Sequence, residues 1–307
     1  MALRKPEWLK IKLQGDNNST KVEHTLSNYH LNTVCEEANC PNKMECYTRR
    51  TATFMILGKN CTRNCKFCNV TTARPEPLDP LEPMKVAYAV KQLGLKHAVI
   101  TSVDRDDLKD DYGSYHFAAV TREIKKMSPG TTIELLIPDF DGRHDLLDLV
   151  FAEKPDIINH NVEVVEDIFD EICPQSDLDM SLEVLRYAKE KGFITKSGMM
   201  VGFGETEEQV VDMMKKLRAV DCDMLTIGQY LQPSKKHAEV KEYVHPDQFE
   251  RYKEIGLSLG FKSVSSGPFV RSSYHAEMLT DENEIDKQKL ELQKKLNETA
   301  ISNGSCH

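Results

Sequence analysis

Six short apolar runs, each followed by an amphipathic stretch, recur in series through the middle of this chain of 307 residues. Strands read at 53–57, 97–103, 132–137, 156–161, 195–201 and 223–228. Helices read at 83–93, 115–127, 146–153, 181–191, 205–220 and 246–259. Pro129-Gly130, Gly192 and Gly260 close three of those helices. Unbroken strand–helix alternation calls for parallel strands joined by crossover helices. The expected architecture is therefore α/β, a partial TIM-type (β/α)6 barrel, with its chemistry on loops at the C-terminal ends of the strands. The barrel would occupy 51–261, with 1–50 and 262–307 as N- and C-terminal extensions. The charged stretch 281–298 reads as an exposed helix or a disordered tail.

Two cysteine triplets flank the first of these strands. Cys35, Cys40 and Cys46 are spaced C-x4-C-x5-C; Cys61, Cys65 and Cys68 are spaced C-x3-C-x2-C, with Phe67 just before the last. A closed structural zinc site takes four ligands, and ferredoxin patterns bring a fourth cysteine close by. Neither triplet has one. Three thiolates around an iron–sulfur cube leave one iron open, which suits chemistry better than structure. The formal charge of −9 argues against a nucleic-acid-coating surface. The N-terminus lacks an apolar signal core, and no run approaches the ~18 apolar residues of a membrane span. Nine cysteines without a secretory signal fit a reducing compartment. A cytoplasmic enzyme with neither a nucleic-acid nor a membrane partner is expected.

The C-x3-C-x2-C loop after a first strand resembles that of the radical S-adenosylmethionine (SAM) enzymes. The resemblance implies that Cys61, Cys65 and Cys68 hold a 4Fe–4S cluster whose open iron takes the amino and carboxylate groups of SAM. An electron passed into the sulfonium then yields a 5′-deoxyadenosyl radical, which takes hydrogen from unactivated C–H bonds. Further segments fit that scheme. GMMVGFGE at 198–205 follows the G-x-(I/M)-x-G-x-x-E pattern near the adenine and makes Gly202 and Glu205 candidate SAM contacts. Taken alone, it is a strand-to-helix turn with Glu205 complementing a helix N-terminus. Asn161 and Glu163, after the fourth strand, are placed to bond a ribose; taken alone they are a polar strand end and a first helical turn. Thr101 and Ser102 end the second strand, where the family binds the SAM amino group, and Phe67 lies beside the cluster.

Four further stretches narrow the likeness. CEEANCPN (35–42), RTATFMILG (50–58), GQYLQPS (228–234) and GPFVRSSYH (267–275) stand in the order found in the lipoyl synthases, which the chain resembles from about residue 4 to 278. The resemblance implies a second, auxiliary 4Fe–4S cluster on Cys35, Cys40 and Cys46, with the hydroxyl oxygen of Ser273 as fourth ligand. A serine oxygen is harder than a thiolate and suits a ligand that must be released. Two SAM-derived radicals would take hydrogen at C6 and C8 of a protein-bound octanoyl chain, and the auxiliary cluster would be consumed as sulfur donor. The implied partners are an octanoylated carrier (a lipoyl domain or a glycine-cleavage H-type protein), an electron donor such as flavodoxin or ferredoxin, and an iron–sulfur carrier that rebuilds the cluster.

The chain departs from the family at Asp110-Asp111-Tyr112-Gly113, where an Asp-Gly-Gly turn is usual. It departs again at 171–177 (EICPQSD), where arginines are usual, and in its long tail. Competing readings are a methylthiotransferase, a biotin synthase-like enzyme and an electron carrier. The first wants a wider N-terminal spacing and a nucleic-acid-binding domain, for which too few residues follow Tyr274. The second lacks the Cys35 triplet, and the third predicts no SAM cleavage. Cys173 and Cys222 read as buried small hydrophobes, Cys306 as a free thiol, and His97 as a packed core residue. The role of His275 stays open. Lys235-Lys236 and Arg49-Arg50 read as solvated charges or as contacts to an acidic carrier.

Overall fold

The computed structural model describes residues 4–10, 17–49, 51–273 and 276. Arg50, His275, Cys306 and the charged stretch 281–298 lie outside the described residues. The N-terminal part comprises α1 (Asn17–Tyr29), β1 (Asn32–Thr33), α2 (Val34–Glu37) and α3 (Lys43–Thr48). The barrel strand β2 (Thr53–Ile56) follows, then the two-residue strands β3 (Asn60–Cys61) and β4 (Thr71–Thr72), which pair with each other around the cysteine loop.

Thereafter strand and helix alternate: α4 (Glu82–Leu93), β5 (His97–Ser102), α5 (Ser114–Met127), β6 (Thr132–Leu136), α6 (His144–Phe151) and β7 (Ile157–Asn159). The short α7 (Phe169–Ile172) precedes α8 (Leu178–Glu190), β8 (Ile194–Val201), α9 (Glu207–Ala219), β9 (Met224–Gln229), α10 (Pro246–Ser258) and β10 (Ser263–Gly267). The sheet order is β1-β2-β5-β6-β7-β8-β9-β10, so every new parallel strand joins beside its predecessor. Crossovers that always advance to the same side put their helices on one face and leave the other to curl inward as a partial barrel.

The six strand–helix units match the alternation read from the sequence, with boundaries shifted by a few residues. A seventh parallel strand was not anticipated. β10 reads SVSSG, and Val264 is its only large apolar side chain, so hydropathy carries no strand signal. It pairs with β9 from Ser263↔Met224 to Gly267↔Gly228 and lies in the segment read as C-terminal extension. The N-terminal segment also enters the sheet, through antiparallel β1 beside β2.

The inward face carries charge at its base. Glu134 and Lys196 are fully buried and paired at 2.8 Å, Asn159 Nδ2 donates to Glu134 at 2.8 Å, and His97 Nε2 lies 3.1 Å from its other oxygen. Burial alone would raise Glu134, but Lys196 and His97 outweigh it and hold the carboxyl at about 2. A buried carboxylate persists only with partners of this kind. His97 is thus a packed interior residue with an ionic partner.

Candidate active site

The loop carrying Cys61, Cys65 and Cys68 leaves the C-terminal end of β2 and is fastened at several points. Lys66 N donates to Ile172 O at 2.8 Å, Ala238 N to Lys66 O at 2.8 Å, and Cys68 N to Cys65 O at 3.1 Å. His237 Nε2 lies 2.9 Å from Cys68 O. The strongest tie is ionic. Arg63, between two of the cysteines, forks onto Asp139 (2.5 and 3.0 Å) and reaches Asp106 (3.0 Å) and Asp104 (3.6 Å). Asp104 Oδ2 in turn lies 3.7 Å from Cys61 Sγ. Burial raises Asp104 to about 6 despite Arg63, whereas Arg63 overcomes burial at Asp139 and lowers it. Burial pushes the Cys61 and Cys68 thiols up to about 12. Thiols held neutral in this way become good ligands only when a metal's charge displaces the proton.

Cys35 lies in α2 and Cys46 in α3, with Cys40 in the turn between them. Thr33 caps α2 through Glu36 N, and its hydroxyl lies 3.0 Å from that of the fully buried Tyr47. Burial raises Cys35 to about 11 and Cys46 to about 12. The serine arrives from the far end of the chain. Asn42 Nδ2 donates to Phe269 O at 2.6 Å, and Thr53 Oγ1 donates to Ser273 Oγ at 2.7 Å. Gly228 lets this segment approach β9, since a Cβ there would stand 2.1 Å from Val270 O. Cys35, Cys40, Cys46 and Ser273 line one small pocket, the set expected for the second cluster. His97 and Arg271 line it as well.

A cavity of about 820 Å³ opens onto both triplets, a volume within the range of small-molecule sites. Cys35, Cys40, Cys61, Cys65, Cys68 and Ser273 all face it. Of the expected SAM contacts, Phe67, Thr101, Ser102, Asn161 and Glu163 line it. Asn161 Oδ1 is buried and has no hydrogen-bond partner among the described residues, and burial lifts Glu163 to about 7.

Gly202 and Glu205 are not among the lining residues. The Glu205 carboxylate accepts from Gly202 N (2.6 Å) and Phe203 N (2.9 Å), closing its own turn, and a Cβ on Gly202 would meet Gln229 Nε2 at 2.1 Å. From the same glycine run it is Gly198 that borders the cavity, where a Cβ would stand 2.8 Å from Asn161 Oδ1. Cys173 is buried as expected, yet it lines the cavity. Sequence reasoning also passed over Arg63, Asp104 and Arg271. The DRDD run at 104–107 was the available signal, but its pairing partners lie tens of residues away.

The donor set bears on what can bind. Among the described residues, no three His, Cys, Asp or Glu side chains converge as a single metal ion requires. Thiols spread around an open cavity suit a polynuclear cluster, whose ligands stand farther apart. Arg271 fits the same picture. Among the described residues it has no carboxylate partner; its Nη1 donates to Val270 O at 2.6 Å, and Cys40 is the group that counters its desolvation. A desolvated guanidinium beside the triplet suits an anionic group.

The chain matches the radical SAM superfamily over residues 55–217 and the N-terminal domain of lipoyl synthase over residues 1–40. It is 55% identical over 280 residues to the lipoyl synthase of Caldanaerobacter subterraneus, covering 91% of this chain and 98% of that one. It is 52% identical over 274 residues to the mitochondrial lipoyl synthase of Nematostella vectensis, covering 89% and 94%. The chain belongs to the lipoyl synthase family. As a lipoyl synthase it is a sulfurtransferase of the radical SAM class, which uses a 4Fe–4S cluster and SAM.

Solved structures confirm the fold of this chain. Methylornithine synthase superposes with a TM-score of 0.55 at 15% identity, covering 82% of this chain and 74% of that one. Streptococcus suis SuiB bound to S-adenosylmethionine gives 0.55 at 10% identity, covering 78% and 56%. No helix among the described residues is long and apolar enough to cross a membrane.

Proposed function

We propose that this chain completes the lipoyl group in place, inserting sulfur at C6 and C8 of an octanoyl-lysine on a carrier protein. The observation that carries this reading is one cavity faced by Cys61, Cys65 and Cys68 and also by Cys35, Cys40 and Ser273. When bound, SAM with a cluster on Cys61, Cys65 and Cys68 supplies a radical for C–H cleavage, and a cluster on Cys35, Cys40, Cys46 and Ser273 supplies sulfide. The chain's own residues bind and orient. Val103, Leu136 and Met199 give the cavity apolar wall suited to an alkyl chain. Asn161 offers an unpaired carbonyl oxygen, and Glu163, at about 7, can hold or accept a hydroxyl proton near neutral pH. Arg271 offsets negative charge at the second site.

On this reading 1–50 and the segment from 262 onward are the parts that add the second site to a radical SAM core at 51–261. The partners are an octanoylated lipoyl domain or glycine-cleavage H-type protein, an electron donor such as flavodoxin or ferredoxin, and an iron–sulfur carrier. The setting is the cytoplasm. Lys235 and Lys236 are exposed and available to an acidic carrier.

The test is an anaerobic assay of reconstituted protein with SAM, reductant and an octanoyl-lysyl peptide, read by mass spectrometry. Deoxyadenosine together with doubly thiolated peptide is the expected result. Deoxyadenosine alone would move the substrate assignment elsewhere, with the altered 171–177 segment the first suspect. Neither product from well-loaded protein would return the electron-carrier reading.

A further inference from the structure

The segment entering the first barrel strand hydrogen-bonds two of the four ligands proposed for the second cluster. Thr51 N and Oγ1 both donate to Cys46 O, at 2.8 and 2.9 Å. The Thr53 hydroxyl donates to Ser273 Oγ at 2.7 Å across a sequence separation of 220. Thr53 is 6% exposed, and with Ser273 it lines the small pocket bordered by Cys35, Cys40 and Cys46.

A serine oxygen has two lone pairs and a proton of its own. With Thr53 as donor, one lone pair is engaged at a fixed point of the sheet and the other is left for the pocket. That bond is the one hydrogen bond to Ser273 Oγ among the described residues. Residues 268–273 follow β10 outside any helix or strand, and their ties among the described residues include Asn42 to Phe269 O and Val270 N to Gly267 O. Neither fixes the rotamer of Ser273. A strand residue in parallel pairing with Val99 does what the loose segment cannot.

We infer that Thr53 is a positioning residue of the second cluster site: its hydroxyl holds the Ser273 oxygen on the pocket that Cys35, Cys40 and Cys46 border. The inference rests on the proposed assignment of Ser273 and the Cys35 triplet as ligands. A hydrogen bond to a ligating oxygen that carries negative charge is charge-assisted, and its loss corresponds to about tenfold in retention.

The experiment uses the reconstituted full-length chain, measuring iron release to a chelator without SAM or substrate, alongside the Mössbauer spectrum. A chain with Cys61, Cys65 and Cys68 replaced by alanine assigns each release phase to its cluster. Thr53→Val should speed the second-cluster phase about tenfold, while Thr53→Ser, which keeps the donor, should restore the parent rate. Thr53→Ala repeats the deletion without bulk if the valine does not pack. Ser273→Ala should be at least as fast, and adding Thr53→Val to it should speed release no further. Parent-like release from Thr53→Val beside fast release from Ser273→Ala would overturn the inference, and so would additive effects in the double variant. A parent-like rate and spectrum in Ser273→Ala would instead remove the ligand assignment itself.

Discussion

Cys61, Cys65 and Cys68 share one loop, and that loop is fastened by charge: Arg63 lies among Asp104, Asp106 and Asp139. Cys35, Cys40 and Cys46 sit on two short helices and the turn between them, outside the barrel, and their site is fastened by neutral bonds. Those run from Thr53 to Ser273, from Asn42 to Phe269 O and from Thr51 to Cys46 O. The surface pairs of Lys43 with Glu23 and Glu36 involve carboxylates that are nearly half exposed and add little. One site is local and ionic; the other is assembled from both ends of the chain. A loop site can be carried by any barrel that presents the right strand end. The composite site requires residues 35–46 and 269–273, from either side of the barrel, to meet at the first strand.

The largest effect should come from breaking each triplet in turn. Cys61→Ala should abolish SAM cleavage altogether. Cys40→Ala should keep some cleavage and lose sulfur insertion. Deoxyadenosine and thiolated peptide measured in the same reaction separate the two outcomes, and lipoyl product from Cys40→Ala would end the sulfur-donor assignment.

Next is the ionic fastening. Arg63 is 10% exposed, and Arg63→Met would leave three acidic side chains facing one another. Breaking a buried pair of this kind costs roughly 3–5 kcal/mol. The variant should load the Cys35 triplet normally and lose iron from the loop triplet, which halves the iron per chain. Equal loss from both sites would mean that the two fastenings are not independent.

Local pattern carried most of the fold and half of the site. Each of the six strand–helix units announces itself by hydropathy, and the cysteine spacings single out the two triplets that the fold brings to one cavity or its edge. What escaped is what depends on distant partners. β10 is a strand because β9 offers it an edge, not because SVSSG is apolar. The glycine pattern marks Glu205 as a candidate SAM contact, and only the backbone fold shows that its carboxylate accepts from Gly202 N and Phe203 N of its own turn. Thr53 in a buried strand gave no polar signal at all, since its partner lies 220 residues away. His97 was read correctly as interior, yet its pairing with Glu134 is a register fact that no single segment contains.

Acid should draw the finest line between the two sites, in metal-free protein. Asp139 is held below its ordinary 3.8 by Arg63, against burial. Its folded value therefore lies under the unfolded one, so its contribution is complete above about pH 4 and is lost as pH falls through the folded value. Asp104 works in the opposite sense. Its folded value of about 6 lies above 3.8, so the folded loop takes up a proton first and gains stability as pH falls from 7 toward 4. The thiols of Cys35 and Cys46, at about 11 and 12, stay neutral throughout, and the bonds around them carry no titrating partner. Hydrogen exchange corrected for intrinsic rate should thus show protection at 62–68 rising between pH 7 and 5 and falling below 4. Protection over 34–48 should stay level across the same range. A common decline in both segments would show that the N-terminal site leans on the loop's ion pairs, and the distinction between an ionic and a neutral fastening would fail.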